Sequence, residues 1–219
     1  MMSELVVYGA VYSVYSRVVR IALREKNLTH RWEETDIFDE GVRSVHRSRH
    51  PFGRIPFLQH ADRTIIETSA ILRYLDALHP AHRLFDADPA GVARSEPVIG
   101  VINAYAYPAL VWQVYVPWSK NDARTLSAGG DGGRPNADMA AEVSRCLAFL
   151  DQALDGHGSF SGRPLGAADA FVYPVLAYFG CVPWGAAQIA NYPNLAAWRR
   201  RMADRDSIRT TAFAAEPTP

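Results

Sequence analysis

Two short runs carry most of the chemistry that can be read from this chain. They are His50-Pro51-Phe52-Gly53-Arg54-Ile55-Pro56-Phe57-Leu58 and, soon after, Glu67-Thr68-Ser69-Ala70-Ile71-Leu72. Proline has no N–H to give to a sheet ladder, so Pro56 in an apolar run predicts a strand at a sheet edge, or a proline at the strand's own start. Either leaves the main chain of Ile55 available to an extended peptide, in the manner of strand addition. An ordinary edge-strand proline after a Pro-Phe-Gly turn explains the same residues. The Ile55-Pro56 bond is open to either isomer, because the tertiary amide lowers the trans preference to about 0.5–1 kcal/mol.

In the second run Thr68 and Ser69 precede Ile71, Leu72, Leu75 and Leu78 at helical spacing, so either hydroxyl suits a helix cap. The same helix start, with unpaired N–H groups and the positive end of the dipole, also suits a carboxylate. Glu67, one residue earlier, suits an ammonium. Together they match the end of an amino acid, which carries both charges on one carbon.

The elements that must position these runs follow from periodicity. Leu5 to Tyr8 reads as a buried strand, Val14 to Lys26 as a helix, and His30 to Thr35 as a second strand. Asp39 to Ser48 is polar and ambiguous. Ile55 to Leu58 and Thr64 to Ile66 read as strands around a turn at His60-Ala61-Asp62, and a helix runs from Thr68 to Leu78. The order is βαβ followed by ββα, which favours a right-handed crossover and then a hairpin in one mixed sheet. A Pro- and Asp-containing segment, His79 to Pro89, reads as a linker. Beyond it only helical patterns occur: Ala93 to Trp118 with a bend near Pro108, Asp138 to Asp155, Ala167 to Phe179 and Asn194 to Ala203. The glycine-rich run Ser127 to Gly133 reads as a loop. The expected fold class is α/β plus all-α.

Composition narrows the function classes. The 219 residues carry 23 Lys plus Arg against 23 Asp plus Glu, so no basic field points to nucleic acid or anionic lipid. Cys146 and Cys181 stand far apart without ligand-spaced neighbours, which predicts neither a metal site nor a disulfide. A reducing cytoplasm is the expected setting. No basic region with a following apolar run opens the chain, and no apolar stretch approaches the roughly 20 residues of a membrane span.

In order and spacing these residues resemble the glutathione transferase family over nearly the whole chain. Val7-Tyr8-Gly9, the Val18-Val19-Arg20-Ile21-Ala22-Leu23 helix, Pro51 to Pro56 and Glu67 to Ile71 resemble the family's thioredoxin-like glutathione-binding domain. Ala168-Asp169 and Tyr192-Pro193-Asn194-Leu195-Ala196-Ala197-Trp198 resemble its helical domain. The resemblance implies a thioredoxin-like domain over residues 1–80 and an all-helical domain over 90–219. It also implies glutathione as co-substrate, no metal, an apolar electrophile as second substrate, and a homodimer.

By the same resemblance Pro56 is cis, Ile55 pairs through its backbone with the cysteinyl unit of glutathione, and Glu67 and Thr68 hold the γ-glutamyl end. Arg54 stands where the family often has glutamine. Arg43 is the nearest substitute for the basic residue that meets the glycyl carboxylate, or else a solvated arginine on a helix face. The thiol-activating group of the family lies at the end of the first strand, where Tyr8, Tyr12, Ser13, Tyr15 and Ser16 are available. Serine-type spacing selects Ser13, with Ser16 and Tyr12 behind it; a plain helix cap is the other role for Ser13. Tyr12-Ser13-Val14-Tyr15 occupies the place of a Cys-x-x-Cys redox pair. Among Tyr105, Tyr107, Trp112, Tyr115 and Trp118, the electrophile site is expected to draw on Tyr105, Trp112 and Tyr115, with Tyr12. Asp169 after Gly166 departs from the family's Ser/Thr-x-x-Asp helix start and is expected to be structural. Peroxide reduction, dehalogenation and isomerisation use the same thiolate. A binding or regulatory protein without conjugating activity is the alternative from another class.

Overall fold

The computed structural model describes residues 4–120, 135–154 and 156–216, apart from the side chains of Arg43 and Val45. The loop at 127–133 lies outside the described residues. The chain divides into two compact units, Met1–Phe85 with Asp206–Phe213, and Asp86–Arg205 with Ala214–Pro219.

The first unit runs β1 (Leu5–Gly9), α1 (Val14–Glu25), β2 (Arg31–Glu34), α2 (Glu40–Arg47), β3 (Phe57–His60), β4 (Arg63–Ile66) and α3 (Thr68–Leu78). Its sheet has the order β2-β1-β3-β4. β2 lies parallel to β1, and β3 and β4 are antiparallel to their neighbours. This is the βαβ-ββα order of the thioredoxin-like fold. α1 forms because Val14, Val18, Val19, Ala22 and Leu23 recur on one face, all buried, beneath a serine cap. α3 turns Ile71, Leu72 and Leu75 into the same core and packs on α1, β3 and β4.

Two open readings of this region are decided. β3 is an interior strand, so Pro56 does not mark a sheet edge. The ladder begins at Phe57, opposite Tyr8 and Ile66, and Pro56 stands just before it, where its missing N–H costs no ladder bond. The polar segment after Asp39 becomes α2.

The short helix α10 (Asp206–Arg209) belongs to this unit and packs on α1. Chain order alone groups residues 206–213 with the helical part. A buried charge explains their return: Arg17 of α1 is fully buried, donates to Thr211 Oγ1 and to the Ile208 carbonyl, and lies 4.5 Å over the Phe213 ring. A guanidinium in a core requires such acceptors.

The second unit is helical: α4 (Pro89–Val101), a π-helical stretch over Ile102–Tyr115, α5 (Val116–Ser119), α6 (Ala137–Ala153), α7 (Ala167–Cys181), α8 (Pro183–Ala190) and α9 (Pro193–Ala203). Sequence predicts a bend near Pro108; the structure instead places Pro108 inside the wider π-type turn. There the Val116 N–H reaches the Val111 carbonyl five residues back. A proline that cannot supply an i→i−4 bond is accommodated by such a change of ladder. α7 is buried from Ala167 to Phe179 and packs against this stretch.

Among the described residues, no helix is long and apolar enough to cross a membrane, and no group of three His, Cys, Asp or Glu is placed to hold a metal ion.

Candidate active site

Register brings the singled-out runs together. Ile66, Phe57, Tyr8 and Glu33 form one row across the four strands. The chain leaves β4 into Glu67, enters β3 from Ile55-Pro56 and leaves β1 toward Ser13 at this same end of the sheet. β1 and β4 run toward this end of the sheet and β3 runs away from it, so the three connecting segments meet here. Tyr8 and Phe57 stack with centroids 4.4 Å apart, forming an aromatic floor beside them.

The Ile55-Pro56 bond is cis. Ile55 lies beyond the last ladder pair, and its side chain is buried. The segment leading to it is held by two histidines that pattern reading left without a role. His46 of α2 is buried and donates from Nε2 to the Arg54 carbonyl at 2.6 Å. His50 is buried and accepts the Phe52 N–H at Nδ1, 3.3 Å away. Burial and the neighbouring His46 hold the His50 imidazole below its usual range, while the Glu67 charge works the other way. The carboxylate of the second run thus acts on the loop of the first. A lone histidine in a polar segment carries no periodic signal, so His46 was not legible beforehand.

Glu67 occupies the cap position of α3 with φ +67° and ψ 124°, and no side chain caps the helix. Positive φ at a non-glycine residue costs about 1–3 kcal/mol and marks sites where geometry outranks local comfort. The Glu67 side chain is exposed and Thr68, the first residue of α3, is buried. Neither Thr68 nor Ser69 serves as the helix cap, contrary to the capping reading. The Arg54 side chain is exposed. The Arg43 side chain lies outside the described residues, though its backbone belongs to α2.

Ser13 caps α1. Its Oγ accepts the Ser16 N–H at 3.2 Å. Among the described residues no acceptor takes its own proton, so a hydroxyl donor is half-buried at the row's end. Ser16 is fully buried and its Oγ accepts the Ala10 N–H at 3.3 Å. It also explains Gly9, where a Cβ would lie 2.6 Å from Ser16 Oγ. The Tyr12 hydroxyl donates to Asp36 at 2.7 Å. Partial burial, then that hydrogen bond, hold the phenol well above its ordinary range. Tyr15 is half-buried.

In the second unit Tyr105 and Trp112 of the π-helical stretch are exposed at 58% and 45%. Tyr115 is half-buried and stacks on Tyr178 with centroids 4.1 Å apart; burial, with a contribution from Cys181, raises its phenol. Asp169 is structural. Fully buried, it accepts from the N–H groups of Phe160 and Gly166, from Ser161 Oγ and from Trp198 Nε1. Ser161 adds a hydroxyl donor to the Asp169 carboxylate, and no side chain caps α7 at Gly166.

Two family models match: glutathione S-transferase, N-terminal domain, over residues 7–83, and glutathione S-transferase, C-terminal domain, over residues 122–201. A probable glutathione S-transferase of rice (Oryza sativa subsp. indica) is 31% identical over 94% of this chain and 87% of its own length. A maleylacetoacetate isomerase of Pseudomonas aeruginosa is 27% identical over 96% of this chain and 94% of its own. Among solved structures, a glutathione transferase of Populus trichocarpa superposes with TM-score 0.78 at 22% identity, covering 94% of this chain and 97% of its own. An epsilon-class enzyme of the housefly, Musca domestica, gives 0.80 at 16%, covering 97% and 93%.

Proposed function

Because the chain belongs to the glutathione S-transferase family, we propose that this transferase activates the glutathione thiol with Ser13 and conjugates the tripeptide to an apolar electrophile. The observation that carries this reading is the Ser13 hydroxyl, held by its own cap bond with its proton toward no protein acceptor among the described residues. A thiolate is the nucleophile, not a thiol. A free thiol has a pKa near 8.5, and lowering it by about two units takes about 2.7 kcal/mol of preferential thiolate stabilisation. One hydroxyl donor to a charged sulfur, aided by the α1 dipole, is of that order.

Glutathione lies in this reading along the β3 entrance. The Ile55 backbone pairs with its cysteinyl unit. Glu67 takes the γ-glutamyl ammonium, and Thr68 with the first N–H groups of α3 takes the neighbouring carboxylate. Arg54, just before Ile55-Pro56, and Arg43 of α2 are assigned to the glycyl carboxylate. The electrophile is assigned to aromatic surface from Tyr12, Tyr105, Trp112 and Tyr115. Detoxification in the cytoplasm, by a homodimer, is the physiological role that fits.

A second reaction of the same thiolate is favoured by one comparison, the likeness to a maleylacetoacetate isomerase over 96% of this chain. There the thiolate would add to a conjugated alkene, allow rotation about the resulting single bond, and leave again. Retention on immobilised glutathione and turnover of a generic aryl halide test the main reading. Absence of both at millimolar glutathione removes it in favour of a binding or regulatory protein. Retention with turnover of a cis-enedione only selects the isomerase.

A further inference from the structure

Beyond the thiol site, the first unit carries a separate concavity of about 210 Å³, lined by Val11, Arg20, Arg24, His30, Trp32 and Thr211. Pockets for drug-sized ligands run to about 300–1,000 Å³, so its occupant is small. From this cavity we infer that the protein binds a small carboxylate with a flat apolar body, the acid held by Arg20 and Arg24 and the body laid between Trp32 and Val11.

The cavity gathers arginines that no carboxylate meets at ion-pair distance among the described residues. Arg17, Arg20 and Arg24 recur on α1 at helical spacing. Arg17 is satisfied in the core, as described above. Arg20 is half-buried; its guanidinium sits 5.6 Å from the Trp32 ring centroid, and its one hydrogen bond among the described residues is a long one, 3.5 Å, to the Thr211 carbonyl. Neither Arg20 nor Arg24 meets a carboxylate at ion-pair distance among the described residues. The nearby acid is Glu34, and both of its oxygens are engaged, one by the Val11 N–H at 3.1 Å and one by Trp32 Nε1 at 2.8 Å. Burial and the Arg17 and Arg24 charges weigh against the charged form of Arg20, while the Glu34 charge works the other way. A half-buried guanidinium with one long hydrogen bond is weakly compensated, and an anion entering the cavity would give it a charged partner at close range. His30 anchors Nδ1 on the Leu28 carbonyl, which leaves Nε2 for the cavity side. The indole and Val11, itself 52% exposed, supply apolar wall that a bare inorganic ion would leave unused.

Titration calorimetry of the whole protein with benzoate and with its neutral counterpart benzamide is the test. Benzoate is expected to saturate at one per chain, with benzamide at least tenfold weaker. Arg24→Gln, at an exposed position in the last turn of α1, is expected to weaken benzoate at least tenfold while leaving turnover with glutathione unchanged; Arg20→Gln should do the same or more. Equal binding of benzoate and benzamide, or parent-like benzoate binding by Arg24→Gln, overturns the inference. Neither outcome depends on whether Ser13 activates glutathione.

Discussion

Three hydroxyls stand near the end of β1, and they differ in whether a ligand could take a proton from them. Ser16 is fully buried and so out of a ligand's reach, and Tyr12 donates to Asp36, while Ser13 is half-buried with its proton toward no acceptor among the described residues. If the bound thiol falls by about two units, Ser13→Ala returns it toward ~8.5. The loss is then steeply pH-dependent: about 50-fold in kcat/KM at pH ~6.5, where the parent site is half thiolate, and under about twofold at pH ~9, where both are ionised. Rate profiles of parent and variant measure this directly. Glu67→Gln removes a charge that the account uses only for binding. KM for glutathione is expected to rise about 10–100-fold with kcat within a few-fold, the size of a charged hydrogen bond. An equal fall in kcat would instead place Glu67 in the chemical step. Much of this was legible in sequence, since proline, acid and hydroxyl types announce their chemistry. His46 was not, because its hydrogen bond to the Arg54 carbonyl is a tertiary fact.

Elements decide how well those residues are held. α1 and α3 were readable because their apolar residues recur at helical spacing, and β1 because its run is short and wholly apolar. β3 was displaced by two residues toward its N-terminus in the sequence reading, since Ile55 looks like strand and only the ladder shows that pairing starts at Phe57. The π-helical stretch gave no such signal; its aromatic residues suit an α-helix equally well. Asp169 holds the start of α7 through four donors. Asp169→Ala strands those donors in the core and is expected to cost about 3 kcal/mol or more, roughly 10 °C in Tm for a chain of this size. Thermal denaturation of the variant checks it, and a change under about 1 kcal/mol would mean that the junction tolerates unpaired donors.

For the whole molecule, the two units make different demands. The first closes on itself only when residues 206–213 come back to α1, a contact across most of the chain that no local pattern reveals. Ending the chain after Arg205 leaves Arg17 without Thr211 and the Ile208 carbonyl. That truncation is expected to unfold the glutathione-binding unit, seen as loss of retention on immobilised glutathione alongside a lowered Tm. The second unit reports its own integrity through Cys146, whose thiol burial raises to about 11. In the native protein at pH ~8 it is expected to resist alkylation, and to react only as the unit opens. Sedimentation is expected to give twice 24.3 kDa, as the homodimer reading requires. Thiol activation by Ser13 is read from the ultraviolet absorption of glutathione thiolate bound to the protein, followed across pH in parent and Ser13→Ala. The expected midpoint is ~6.5 in the parent and ~8.5 in the variant; the same midpoint in both would rule out Ser13 as the activator.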